Sequence, residues 1–110
     1  MRLNPAPMKM FREGRKTIEL RLYDEKRKKL SVGDTIKFIN TSDITDVLNV
    51  TVEELFIFDS FDELYKSLTL LECGYTQNNI GRASPRDMEI YYPKEKQNKY
   101  GVVGIKVSVI

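Results

Sequence analysis

The sequence predicts an α+β domain, a small and partly closed β-barrel of mixed strands with short helices on its rim. Three observations carry that expectation. Apolar and polar residues alternate with a period of two in four separate stretches. One of those stretches changes its apolar phase by a single residue, as a β-bulge does, and barrels need such bends to close. Helix-capping signals fall between the stretches and not inside them.

The elements follow in order. Asn4-Pro5 reads as an N-cap with proline at the first helical position. Met8 and Phe11 then share one side of a short helix, and Gly14 suits its left-handed C-terminal cap. Lys16 to Tyr23 is the first strand, hiding Ile18, Leu20 and Leu22 and turning Thr17, Glu19 and Arg21 the other way. Asp24 to Leu30 reads as a charged turn or loop, and Gly33-Asp34 as a turn. Thr35 to Ile39 resumes the alternation with Ile36 and Phe38 inward, and Asn40 to Asp46 reads as a polar connection.

Val47 to Phe58 is the longest extended stretch, with Leu48, Val50 and Val52 on one face and the phase shift at Glu53-Glu54. Ser60-Phe61-Asp62-Glu63 is a capping box opening a helix to about Leu68. Thr69 to Ala83 reads as a loop, and Ser84-Pro85 opens a short helix that stops at Pro93. Lys94 to Lys99 reads as a charged turn. Tyr100-Gly101 introduces the last strand, with Val103, Ile105, Val107 and Val109 on one side.

A chain of 110 residues is expected to make one domain, residues 1–110, around one core. No apolar run approaches the roughly 18 residues of a membrane span, and no signal-peptide pattern opens the sequence. A lone Cys73 has no intramolecular disulfide partner, so a reducing, cytoplasmic location is expected. With no histidine, the usual zinc sites and histidine-dependent nucleophilic catalysis are excluded, and no metal is expected. No P-loop or dinucleotide motif is present either, so no cofactor is expected.

Net charge is only +2, yet residues 9–30 hold nine bases against four acids, a local +5. Such a field points to an anionic partner at one face, whereas Lys26 to Lys29 alone read as solvated surface. Glu19 and Arg21 stand two apart on a strand, hence on one face and about 6.5–7 Å apart. An arginine fork suits a phosphate or a base edge, and a carboxylate accepts from an exocyclic amino group. The alternative is a structural pair, with Glu19 holding Arg21. Strict alternation would put Lys16 on the opposite, Ile18 face, which conflicts with a shared cleft unless the strand begins out of register. Tyr75, Tyr91, Tyr92 and Tyr100 are candidates for stacking on bases, Tyr100 foremost because it precedes Gly101 and a strand.

Gly14-x-Lys16-x-x-Glu19-x-Arg21 resembles the G-x-K-x-x-E-x-R signature of the ASCH domain family, whose fold is a PUA-like β-barrel. The likeness continues through Leu20 to Arg27, Val32-Gly33-Asp34, Ser60-Phe61 and Lys99-Tyr100-Gly101-Val102-Val103, and so spans nearly the whole chain as in small stand-alone members. It implies binding of RNA or a nucleotide-like ligand in a cleft beside the signature; joined to the reading of the residues, this makes Arg15, Lys16, Glu19, Arg21 and Tyr100 the expected contacts. It also implies a rival activity, since some relatives resemble an amidohydrolase acting on N4-acetylcytidine through a lysine, a threonine and a glutamate. Lys16 matches that lysine, but Glu19 stands where the threonine would be. A different hydrolysis would use Glu19 as general base and Lys16 as electrostatic stabiliser. A third reading makes the charged loop Asp24 to Lys29 a protein contact.

Overall fold

In the computed structural model, which describes residues 1–110, five strands form one sheet: β1 (Arg2–Leu3), β2 (Ile18–Leu22), β3 (Thr35–Asn40), β4 (Asp43–Phe58) and β5 (Val102–Val109). Their spatial order is β1-β3-β4-β5-β2. All neighbours are antiparallel except β1, which lies parallel to β3. The two edge strands, β1 and β2, come within reach of one side chain: the Arg21 guanidinium donates to the Arg2 carbonyl at 2.7 Å. The sheet therefore curls into a barrel that stays open along one seam, in line with the expected fold class.

The long strand β4 bends where its sequence changes phase. Val52 faces Val107 and Glu54 faces Lys106, leaving Glu53 as the extra residue of a bulge. Before it, Val50 and Val52 fill the barrel interior with Phe38, Ile105 and Val107. Beyond it, Phe56 and Phe58 pack against a second core on the outer face, while Ile57 is exposed.

Two cores flank the sheet because β2 and β5 bury both faces. The helix α1 (Pro5–Arg12) closes the interior one with Met8 and Phe11. The helix α2 (Phe61–Ser67) covers the outer one, where Phe61 and Leu64 meet Ile18, Leu20, Leu22 and Val102. Glu19 and Arg21 alternate with Ile18, Leu20 and Leu22, and pair in register with Ile105 and Val103. They consequently sit on the interior side, beside the seam.

Several local expectations need correction. The proposed polar connection at Asn40 to Asp46 is mostly strand, with only Thr41-Ser42 between β3 and β4. Buried Asn40 makes this possible by donating to Asp46 at 2.9 Å and accepting from the Ser42 amide at 2.8 Å. Asn4 holds the N-cap position, but its side chain accepts from the Thr41 hydroxyl at 3.0 Å and caps nothing. The segment after Ser84 is a 3-10 turn, Pro85–Ile90. The supposed charged turn after Pro93 is a helix, α3 (Lys94–Tyr100), anchored by buried Gln97, which donates to the Tyr92 carbonyl at 2.8 Å.

Gly101 turns α3 into β5 at φ +72°, and a Cβ there would stand 3.0 Å from the Phe58 carbonyl oxygen. Left-handed backbone and the close strand carbonyl both oppose a side chain. Gly101→Ala should cost about 1–3 kcal/mol, read as a lowered urea midpoint. An unchanged midpoint would show that the turn relaxes freely.

Candidate functional site

The site begins with a chain reversal. After α1 the Met10 carbonyl accepts from both the Arg15 and Lys16 amides, at 2.9 and 3.2 Å. The Glu72 carbonyl then accepts from the amides of Thr17 and Ile18, at 2.8 and 3.0 Å. Lys16 thus precedes the strand ladder and escapes its alternation, so its side chain swings to the side of Glu19. That settles the register question posed by the sequence.

Three charged side chains converge there. Lys16 Nζ lies 2.9 Å from Glu19 Oε1, while Arg21 Nε and Nη2 donate to Glu19 Oε2 at 3.0 and 2.8 Å. The Lys16 and Glu19 side chains are only 10% and 7% exposed, and that of Arg21 17%. The Lys16 ammonium also stands 5.3 Å from the centroid of the Phe11 ring, a cation–π distance. Over it lies Gly74, at φ +112°, whose absent Cβ would meet Lys16 Cδ at 3.3 Å. Glycine there lets the 70s loop rest on the lysine.

Burial alone would push the Glu19 carboxyl up, but Lys16 and Arg21 outweigh it and hold it below the ordinary carboxylate value. For Arg21 burial works against the charge, and Glu19 reverses the balance and raises it. Two cations share one carboxylate, leaving a buried excess of one positive charge. Nearby Cys73 is pushed up to about 12, chiefly by burial, so it stays a thiol and is no nucleophile at neutral pH.

The three residues lie in the wall of a cavity of about 580 Å³ at the barrel seam. Its other walls come from β1, the Asn4 link and α1 (Arg2, Asn4, Met10) and from the 70s and 80s loops. Tyr65, Tyr75, Tyr91 and Tyr92 line it, with Met88 and strongly exposed Ile90. A cavity of this size lies within the roughly 300–1,000 Å³ typical of small-molecule sites. Buried charge and aromatic rings in one cavity make it suited to an anionic or acceptor-bearing aromatic guest.

A sequence profile of the ASCH domain matches residues 1–110. The chain belongs to the ASCH domain family. The hypothetical protein PH0355 is similar in its crystal structure, with 29% identity and a TM-score of 0.80 over 100% of this chain and 96% of that one. PF0455 from Pyrococcus furiosus, solved by NMR in solution, is 28% identical with a TM-score of 0.69, over 100% of this chain and 98% of its own. No curated protein matches the sequence.

The candidate contact residues of this ASCH domain do not all meet. Lys16, Glu19 and Arg21 converge, and Tyr75, Tyr91 and Tyr92 join them at the cavity. Arg15 is exposed outside it, paired with Glu13. Tyr100 packs against the outer core with Lys99 Nζ 5.1 Å from its ring centroid, also outside. Lys94 pairs with Asp62, and the Asp24 to Lys29 loop pairs internally through Arg27–Asp24 and Lys28–Glu25. Sequence reasoning missed Tyr65, Asp87 and Arg2. Tyr65 reads only as part of a helical apolar stripe, and nothing in its spacing announces a partner ten residues on. No group of histidine, cysteine or acidic residues is placed to hold a metal ion, and no helix is long and apolar enough to cross a membrane.

Proposed function

We propose that this ASCH domain binds a nucleotide, free or as a unit of RNA, in the seam cavity. One observation carries the reading. The buried Lys16–Glu19–Arg21 cluster keeps cationic donors to spare, and it faces a cavity lined by four tyrosines. Arg21 spends Nε on Glu19 and Nη2 on Glu19 and Arg2, which leaves Nη1 free of both. Lys16 spends one of its three donors on Glu19. A phosphate or a base carbonyl would take up both, while a tyrosine face stacks on the ring. Binding fits this arrangement better than hydrolysis with Glu19 as the base, because that carboxylate already accepts three charged hydrogen bonds and is held in its ionised form.

Arg21→Lys keeps a cation beside Glu19 but removes the planar fork and the reach to the Arg2 carbonyl. The folded variant should bind short RNA and nucleoside monophosphates at least about tenfold more weakly, a loss of about 1.4 kcal/mol. Wild-type affinity for RNA should fall steeply with salt. Titration by fluorescence anisotropy and calorimetry checks both points, and undiminished binding by the variant would remove the proposal.

A further inference from the structure

One wall of the cavity carries a hydrogen-bond relay whose direction can be worked out by counting protons. The Tyr75 hydroxyl lies 2.7 Å from Asp87 Oδ2 and 2.7 Å from the Tyr65 hydroxyl. The same Asp87 oxygen accepts from the Ser84 amide at 3.2 Å, within the cap of the Pro85–Ile90 turn. A carboxylate at neutral pH only accepts, so the single Tyr75 proton goes to Asp87. The Tyr65–Tyr75 contact then has one proton left to use, that of Tyr65. Both hydroxyl protons are thereby committed along the chain Tyr65 to Tyr75 to Asp87.

What remains on these oxygens is lone pairs. The burial of Tyr75, with Tyr65 and Asp87 beside it, pushes its phenol well up, so it stays a protonated donor to Asp87 across the neutral range. Burial likewise pushes Tyr65 up. Toward the cavity the Tyr65–Tyr75 pair therefore offers acceptors. The charged cluster offers donors, since Lys16 and Arg21 carry no acceptor and the Glu19 oxygens are engaged. The relay and the charged cluster have opposite hydrogen-bond polarity.

The geometry points to a specificity device: the Tyr65–Tyr75–Asp87 relay selects a nucleobase that turns an exocyclic amino group to the tyrosine wall and its acceptor groups to Lys16 and Arg21. This rests on reading the cavity as a nucleotide site, and it adds which bases enter. Cytosine and uracil have nearly the same shape but opposite polarity at one exocyclic position, a donor amino group against an acceptor oxygen. Adenine and hypoxanthine differ in the same sense. A keto oxygen set against the relay would face lone pairs with no proton free to answer it, and an unmet buried acceptor weakens binding.

The test is calorimetric titration of the full chain with cytidine and uridine 5′-monophosphates, then with adenosine and inosine 5′-monophosphates. The amino member should bind at least about fivefold more tightly in the pair that fits the cavity. Tyr75→Phe frees the Tyr65 proton to turn toward the guest, so that preference should shrink to less than about twofold. Asp87→Ala, which removes the acceptor that takes the Tyr75 proton, should have the same effect and serves if the first variant melts early. Equal binding of both members by the wild type, or tighter binding of the keto member, would overturn the relay as a selector and leave the nucleotide site standing. A preference that survives in both folded variants would overturn it too. If no nucleotide of either pair binds at millimolar concentration, the nucleotide reading itself fails, and the selector with it.

Discussion

Glu19→Ala is expected to destabilise the fold by about 3–5 kcal/mol, the range for removing one partner of a buried ion pair. The carboxylate is the only acid bridging Lys16 and Arg21, and its loss leaves two cations in a nearly dry seam. At about 4–8 °C per kcal/mol for a domain close to this size, the melting temperature should drop by more than about 10 °C. A circular-dichroism melt reads the shift, and a drop of only a few degrees would mean that water reaches both cations freely. Replacing all three at once, as Lys16→Met, Glu19→Leu and Arg21→Met, should restore most of the stability, because buried ion clusters roughly break even against apolar groups of similar volume. Recovery of stability without recovery of binding would mark the cluster as kept for its guest.

The same carboxylate fixes an acid limit. Its folded pKa lies below the ordinary 4.5, so its contribution is complete above that value and is lost as the pH falls through the lower folded one. Urea midpoints of wild type and Glu19→Ala should therefore differ most at neutral pH and converge under acid conditions. A gap that widens on acidification would contradict the sign.

Phe61→Ala is the other large effect, at about 3–5 kcal/mol for a fully buried aromatic ring. Phe61 is 1% exposed; its ring stacks on Tyr92 at 6.1 Å and meets Tyr65 edge-on at 6.5 Å. It thereby joins the outer core to two tyrosines of the cavity. Truncation should weaken nucleotide binding as well as lower the melting temperature, even under conditions where the variant stays folded. Full binding in a destabilised variant would show that the tyrosines hold their places without it.

The features legible in the sequence were those with a local cause. The bulge shows because Glu53-Glu54 interrupts a strict period of two, and α2 shows because Ser60 and Glu63 have a fixed spacing, with the Ser60 hydroxyl accepting the Glu63 amide at 3.3 Å. Strand β1 is too short for any period to appear, and its place beside β3 is set by packing. The helix α3 is hidden because its residues are nearly all charged or polar, and what anchors it is one buried glutamine bonded to the Tyr92 carbonyl just ahead of the helix. Within the site, the spacing of Glu19 and Arg21 gave their shared face. The swing of Lys16 depends on the carbonyls of Met10 and Glu72, which no spacing rule reports.

One consequence concerns neighbouring molecules and not the guest. The strand β2 is a free margin of the sheet, the kind of surface onto which another chain can add a rung and begin a fibril. Two of its five side chains, Glu19 and Arg21, are charged and point inward, and the Glu72 carbonyl already occupies the amides at its start. An incoming strand would have to prise those ions from one another before it could flatten β2 into register. Chains stripped of them in favour of apolar residues should accordingly be the ones that polymerise on storage, however well they melt.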